Sequence, residues 1–242
     1  MKICGAQFQP KAGDIENNIA KHIALTELAV SKSVDLIFFP ELSITGYEPT
    51  LADSLSMTAE DEQLSVFQKL SDCHNIIIGI GIPLRKNAKV YITLVFFRPN
   101  EKPLVYSKQI LHEDEYPYFH SGEEQILIKL GTAMLAPAIC YESLQEIHTK
   151  QAANQGAEVY LASVAKHSAG LSKADQYYSE VSKNLNLNII LSNSYGSCDN
   201  FMAEGSSAVW NNKGEKTVNL GKSEDGLVGI NTQTQECLIF KL

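Results

Sequence analysis

Three residues stand out by type and place: Glu41, Lys108 and Cys140. Cys140 ends the apolar run "MLAPAIC", and the polar stretch after it suits a helix beginning near Glu142. A thiol at a helix N-terminus faces the positive end of the backbone dipole, which lowers its pKa from about 8.5 and makes it a better nucleophile. The plainer alternative is a small apolar core residue, as free cysteines commonly are. Glu41 follows the strand-like "LIFFP" with no polar buffer. A carboxylate there must be hydrogen-bonded, ion-paired or functional, because burying it alone is too costly. Lys108 closes "KPLVYSK" and precedes "QILHEDEYPYFHSGEE", a segment crowded with acids and aromatics. Taken alone, it reads as a solvated charge on a strand edge.

The elements that must position these residues follow from periodicity. "MKICGAQFQP" reads as a first strand, and "GDIENNIAKHIALTELAVSKS" as an amphipathic helix capped by Asp14, with Ile15, Ile19 and Ile23 at four-residue intervals. "VDLIFFP" is a buried strand, followed by a loop with Gly46 and Pro49 and a helix from Glu60 to Cys73. Further strands are expected at "NIIIGIGIPL", "KVYITLVFFRP", "KPLVYSKQ", "QILIKL", "TAMLAPAIC", "EVYLASVA" and "NIILSNSY", with helices over 143–156 and 173–186. "AVWNNKGEKTVNL" predicts a hairpin around Asn212 to Gly214, and "GLVGINT" a final strand. Strands alternate with helices in places and run consecutively in others, which predicts an α/β fold of mixed sheets with helices on their outer faces.

Composition narrows the function classes. The 242 residues, without a linker-like stretch, read as a single domain over 1–242. The net charge of −8 and the absence of a basic run exclude a nucleic-acid binder. No apolar stretch is long enough to span a bilayer, and no secretory signal pattern opens the chain, so a soluble cytoplasmic protein is expected. Five widely spaced cysteines give neither a disulfide framework nor a zinc pattern. The six histidines show no metal-ligand spacing and no phosphate-binding glycine loop occurs, so neither metal nor cofactor is expected.

The segments "AQFQP", "GDIENNIAK", "FPELSITGY", "YSK", "EYPYFHSG", "AICYE", "GAEVYLAS" and "EGSSAVWNNKGE" together resemble the nitrilase superfamily of carbon–nitrogen hydrolases, in the family's order and over nearly the whole chain. The resemblance implies a four-layer α-β-β-α sandwich of two mixed sheets, often paired into homodimers. It carries the family's glutamate, lysine and cysteine onto Glu41, Lys108 and Cys140, and a second glutamate onto Glu115, with Glu113 competing. The implied chemistry is hydrolysis of a small amide or N-carbamoyl compound through a Cys140 thioester. Glu41 would act as base, Lys108 and the Tyr141 backbone N–H would stabilise the oxyanion, and Glu115 would orient Lys108. A catalytically silent binding or regulatory protein on the same fold is the alternative, and a Cys140 pairing with His120 or His167 would leave the flanks of Glu41 and Lys108 unexplained.

After the cysteine the run is "CYESLQEIHT", with Leu144 where relatives usually carry Arg, and Glu146 and Ile147 where they carry Pro and Glu. Tyr141 in place of Trp argues against the true nitrilases. Tyr141 and Glu142 continue the cysteine motif and are expected to contact substrate. Lys166 and His167, after the strand "YLASVA", are expected at the mouth of the site, where a cationic rim would favour a carboxylate remote from the scissile amide.

Overall fold

The computed structural model describes residues 1–242. In chain order the first part runs β1 (Lys2–Gln7), α1 (Ile15–Ser31), β2 (Leu36–Phe38), α2 (Ala52–Leu55), α3 (Ser65–His74), β3 (Ile77–Lys86), β4 (Lys89–Phe97) and β5 (Leu104–Ser107). There follow β6 (Ile128–Leu130), β7 (Ala133–Ile139), α4 (Glu146–Asn154), β8 (Val159–Val164), α5 (Ser168–Leu185) and β9 (Asn188–Asn193). The chain ends with β10 (Tyr195–Cys198), β11 (Phe201–Glu204), β12 (Ala208–Trp210), β13 (Lys216–Asn219), β14 (Gly226–Asn231) and β15 (Cys237–Lys241).

Two large mixed sheets result. One has the order β15-β14-β1-β2-β3-β4-β5 and the other β13-β12-β9-β8-β7-β6. Each is parallel at its centre, β1-β2-β3 and β7-β8-β9, and antiparallel toward its edges. The central strands are buried on both faces, which accounts for their near-continuous apolar runs. Between the sheets, Ile3, Phe38 and Val228 meet Leu161, Ile190 and Val209. Outside the first sheet, Leu25 and Ala29 of α1 and Phe67 of α3 pack on Ile37, Ile78 and Val95. Outside the second, Ala174, Tyr178 and Val181 of α5 pack on Tyr160, Ala162 and Trp210. This is the expected four-layer sandwich. No helix is long and apolar enough to cross a membrane.

Close packing and hydrogen bonds join the two sheets directly. Gly5 lets them approach, since a Cβ there would lie 3.0 Å from the Ser192 Cβ. The Ser163 hydroxyl of β8 donates to the Phe39 carbonyl just beyond β2 at 2.8 Å, and Ser192 of β9 donates to Ala6 of β1 at 2.6 Å. The first pins the end of β2 against the end of β8, and the second ties β1 to β9.

Several boundaries differ from expectation for identifiable reasons. The segment after Cys140 splits into a 3-10 turn, Cys140–Leu144, and α4, rather than one helix over 143–156. Helix α5 begins at Ser168, five residues before the expected Lys173, because the His167 side chain caps it by accepting from the Gly170 N–H. The expected helix from Glu60 becomes a 3-10 turn at Glu62–Leu64 before α3. Asp14 caps α1 as expected, yet the fully buried face carries Asn18, His22 and Thr26 with Leu25 and Ala29, leaving Ile15, Ile19 and Ile23 half-buried. His22 bonds the Asn18 carbonyl and the Ser43 hydroxyl, so its burial is satisfied.

Candidate active site

Strands β2, β5, β7 and β8 deliver Glu41, Lys108, Cys140 and Lys166 from their C-terminal ends, so both sheets contribute to one place. At the end of β2 the chain turns sharply. Leu42 has φ +50°, the Ser43 N–H bonds the Pro40 carbonyl, and the Ile44 N–H bonds Gly81 of β3. Gly81 is required there, because a Cβ would overlap the Pro40 carbonyl oxygen. Lys108 extends β5 by one more bond, its N–H donating to the Ile92 carbonyl at 2.8 Å.

The Lys108 ammonium, with no solvent exposure, donates to Glu41 Oε1 at 2.8 Å and to Glu115 Oε1 at 2.6 Å. Glu115 is fixed in turn by the Tyr47 hydroxyl at 3.0 Å and the His112 N–H at 2.7 Å. Glu113, one step around the same 3-10 turn, is exposed. Glu41 is different: its Oε2 is buried and accepts no hydrogen bond from the protein. Burial raises the Glu41 pKa, with Lys108 opposing the shift and the Glu115 charge adding to it. Burial works against the charge on Lys108, but Glu41 and Glu115 outweigh it and push its pKa up, so it remains an ammonium.

Cys140 holds φ +46°, in the left-handed region, which turns its side chain out of the strand line. Its carbonyl is secured by the Ser143 hydroxyl at 2.6 Å, itself bonded to Tyr178 of α5 at 2.6 Å. The thiol donates to the Ala165 carbonyl at 3.8 Å, and the Lys166 ammonium lies 3.6 Å from the sulfur. The expected lowering of the thiol pKa by a helix dipole does not occur. Cys140 opens only a five-residue 3-10 turn, and burial followed by the Glu41 charge pushes the thiol up to about 11, against the opposing pull of Lys166 and Lys108. The sulfur is therefore protonated near neutral pH.

A cavity of about 580 Å³ opens over the sulfur, lined by Tyr47, Glu115, Cys140, Tyr141, Lys166, His167, Lys173 and Phe201 among others. Tyr141 and His167 both line this cavity. Lys166 does too, but against the Cys140 sulfur rather than at the mouth. Glu142, expected to contact substrate, is not among the cavity-lining residues: it is fully buried and accepts four hydrogen bonds. Its Oε1 takes the Tyr106 hydroxyl at 2.7 Å and the Ile139 N–H at 2.8 Å, and its Oε2 takes the Gln109 and Ile110 N–H groups at 2.6 and 3.1 Å. One carboxylate thus ties the residue before Cys140 to the two residues after Lys108. His148 continues the network between Tyr106 and Tyr160. Neither His120, exposed beside Tyr91, nor His167, bonded to Gly170, pairs with the thiol. Sequence reasoning did not single out Tyr47, Lys173 or Phe201. Tyr47 lies within "FPELSITGY", whereas Phe201 belongs to the β10-β11 hairpin, which the sequence pattern does not reveal.

The fold is thus a two-sheet sandwich with a glutamate, a lysine and a cysteine gathered at its strand ends. The carbon-nitrogen hydrolase family model matches residues 2–237, and the chain belongs to that family. Among similar proteins, a glutamine-dependent NAD(+) synthetase of Acinetobacter baylyi is 28% identical over 222 residues, spanning 88% of this chain and 41% of that protein. A 2-oxoglutaramate amidase of Bacillus subtilis is 30% identical over 141 residues, 56% of this chain and 54% of the relative. The chain thus spans about half the length, or less, of these curated relatives. An amidase from Nesterenkonia sp. AN1, solved with acrylamide added to its active-site cysteine, superposes with a TM-score of 0.87 at 21% identity, over 96% of this chain and 92% of that one.

Proposed function

We propose that the chain hydrolyses the carbon–nitrogen bond of a small linear amide through a thioester at Cys140. The observation that carries this reading is Glu41, a buried carboxylate bonded to Lys108 with one oxygen and left with the other free, in the company of a protonated thiol. An amide is a poor electrophile, so the thiol must lose its proton as it attacks. Glu41 takes the Sγ proton, sulfur bonds to the carbonyl carbon, and the electron pair moves onto oxygen. Lys108 and the Tyr141 N–H stabilise that oxyanion. The C–N bond then breaks, the nitrogen leaves with the proton from Glu41, and a thioester remains. Water gives a proton to Glu41 and its oxygen to the acyl carbon, and the C–S bond breaks as sulfur regains a proton. Glu115 holds Lys108 in place throughout.

The substrate class follows from charge. Around the cavity, Glu115 is paired with Lys108 and Asp114 with His112, whereas Lys166 and Lys173 form no ion pair. Glutamine and 2-oxoglutaramate, which appear in two relatives' names, both join a terminal amide to a carboxylate. A carboxylate-bearing linear amide therefore suits the cavity. With Lys166 against the sulfur, the remote charge falls to Lys173. The test is release of ammonia across anionic and neutral amides and N-carbamoyl compounds. C140A should abolish turnover, an acylating probe should label Cys140 among the five cysteines, and K173A should raise KM for anionic amides while sparing kcat. Silence across the panel despite a labelled Cys140 would favour a binding or regulatory role, and labelling elsewhere would remove the nucleophile assignment.

A further inference from the structure

Lys166 is the least expected feature of the site. Its side chain is only 7% exposed, and its ammonium finds no carboxylate. It bonds the carbonyl of Cys140 at 3.4 Å and approaches the sulfur of the same residue at 3.6 Å. The placement is built rather than incidental. The Asn193 side chain accepts from the Lys166 N–H at 2.8 Å and donates to the Lys166 carbonyl at 3.1 Å, and the Glu204 N–H bonds that carbonyl too. On the other side, Gly170 of α5 lies against the aliphatic stem, where a Cβ would stand 3.5 Å from the Lys166 Cβ. A cation withdrawn this far from water is costly unless an anion completes it.

We infer that Lys166 is a second ammonium of the catalytic centre, whose counter-ion is the Cys140 thiolate formed as Glu41 takes up the thiol proton. This rests on the reading of Cys140 as nucleophile. The charge count supports it. Glu41, Glu115 and Lys108 together carry one negative charge, and Lys166 brings the buried group to neutrality. When the proton moves from sulfur to Glu41, the negative charge leaves the neighbourhood of Lys108 and arrives beside Lys166, so each stage has a cation in contact with the anion. The one proton that moves passes from Sγ to a Glu41 oxygen. Besides Lys166, the titratable groups facing the sulfur from the surrounding elements are Glu41, Tyr47, Lys108, Glu115 and Tyr178. Burial and Glu41 push the thiol up, and among the opposing influences Lys166 stands ahead of Lys108.

The assay is the rate at which iodoacetamide alkylates Cys140, followed by peptide mass spectrometry between about pH 6 and 9, in the wild type, K166M, K166Q and K166R. The reagent is uncharged, so the rate reads the thiolate fraction and not recognition of a substrate carboxylate. Loss of an opposite charge in contact shifts a pKa by about one to three units, and the higher nucleophilicity of a more basic thiolate offsets about half of each unit, so K166M should react roughly 3- to 60-fold more slowly at each pH, with K166R recovering most of the rate. K166Q, which retains a donor for the Cys140 carbonyl without the charge, should behave like K166M and serves where K166M does not fold. Wild-type rates in both neutral variants would overturn the inference while leaving Cys140 as nucleophile. Failure of Cys140 to react in any form, with other thiols labelled instead, would overturn the hydrolytic reading beneath it.

Discussion

Replacing Lys108 by Met tests whether the ion cluster is organised by its ammonium. Lys108 has no solvent exposure and is the only hydrogen-bond partner of Glu41 Oε1, while Glu41 Oε2 has none. Glu115 would keep the Tyr47 hydroxyl and the His112 N–H. The variant therefore leaves one carboxylate bare and a second beside it, both buried. Breaking a buried pair by removing one partner costs about 3–5 kcal/mol. For a chain of this size that corresponds to a fall in Tm of about 6–20 °C. The deficit must depend on pH, and its sign is fixed. Burial raises the Glu41 pKa even with Lys108 opposing, and removing Lys108 raises it further. A carboxyl raised in the folded state favours folding below its unfolded pKa, and that advantage is lost as pH rises through the folded value. The Tm difference from wild type should thus be largest near pH 9 and shrink toward pH 5. Adding E41Q to K108M removes the bare charge, so the double variant should melt above the single one at pH 8. Thermal unfolding by circular dichroism reads all three proteins. A deficit constant from pH 5 to 9, or a double variant no more stable than K108M, would refute the reasoning.

Turnover should separate the two candidate glutamates: E115Q, which replaces the charged acceptor of Lys108 by a neutral amide, should cut kcat by at least tenfold, and E113Q, at an exposed position, should leave it within about twofold. The reverse order would move the role to Glu113. E142A strands four donors that include the backbone on either side of the site, and at about 1–3 kcal/mol per unsatisfied buried group it should lower stability by several kcal/mol, measured by denaturant unfolding. A loss below about 1 kcal/mol would show that water replaces the carboxylate.

The main catalytic candidates were legible because each is a polar residue at the end of an apolar strand, where burial makes a charge or a thiol conspicuous. Glu41 after "LIFFP" and Cys140 after "MLAPAI" announce themselves in this way. Their environment was less legible. The dipole expected to activate Cys140 belongs to a long helix, and the chain forms a short 3-10 turn there, so burial and the Glu41 charge set the thiol's proton affinity instead. The same turn directs Glu142 back toward the Ile139 N–H, where four donors hold it away from the cavity. Short strands with polar residues, β10, β11 and β15, fell below what alternation alone reveals.

Lys166 shows most clearly what periodicity leaves open. A lysine just past a strand is ordinarily a solvated charge, and its sequence neighbours carry nothing to contradict that. Its burial is decided by residues distant in the chain: Asn193 grips its backbone from β9, Gly170 makes room for its stem from α5, and the Ser163 bond to Phe39 brings the end of β8 to the end of β2. None of these contacts repeats at a helical or strand period. They arise when two sheets close face to face, and that closure places a second cation beside a sulfur whose other neighbours include two carboxylates. The chemical types at this site can be read from strand ends one at a time, whereas the charge balance on which the proposed proton transfer depends exists only in the assembled pair of sheets.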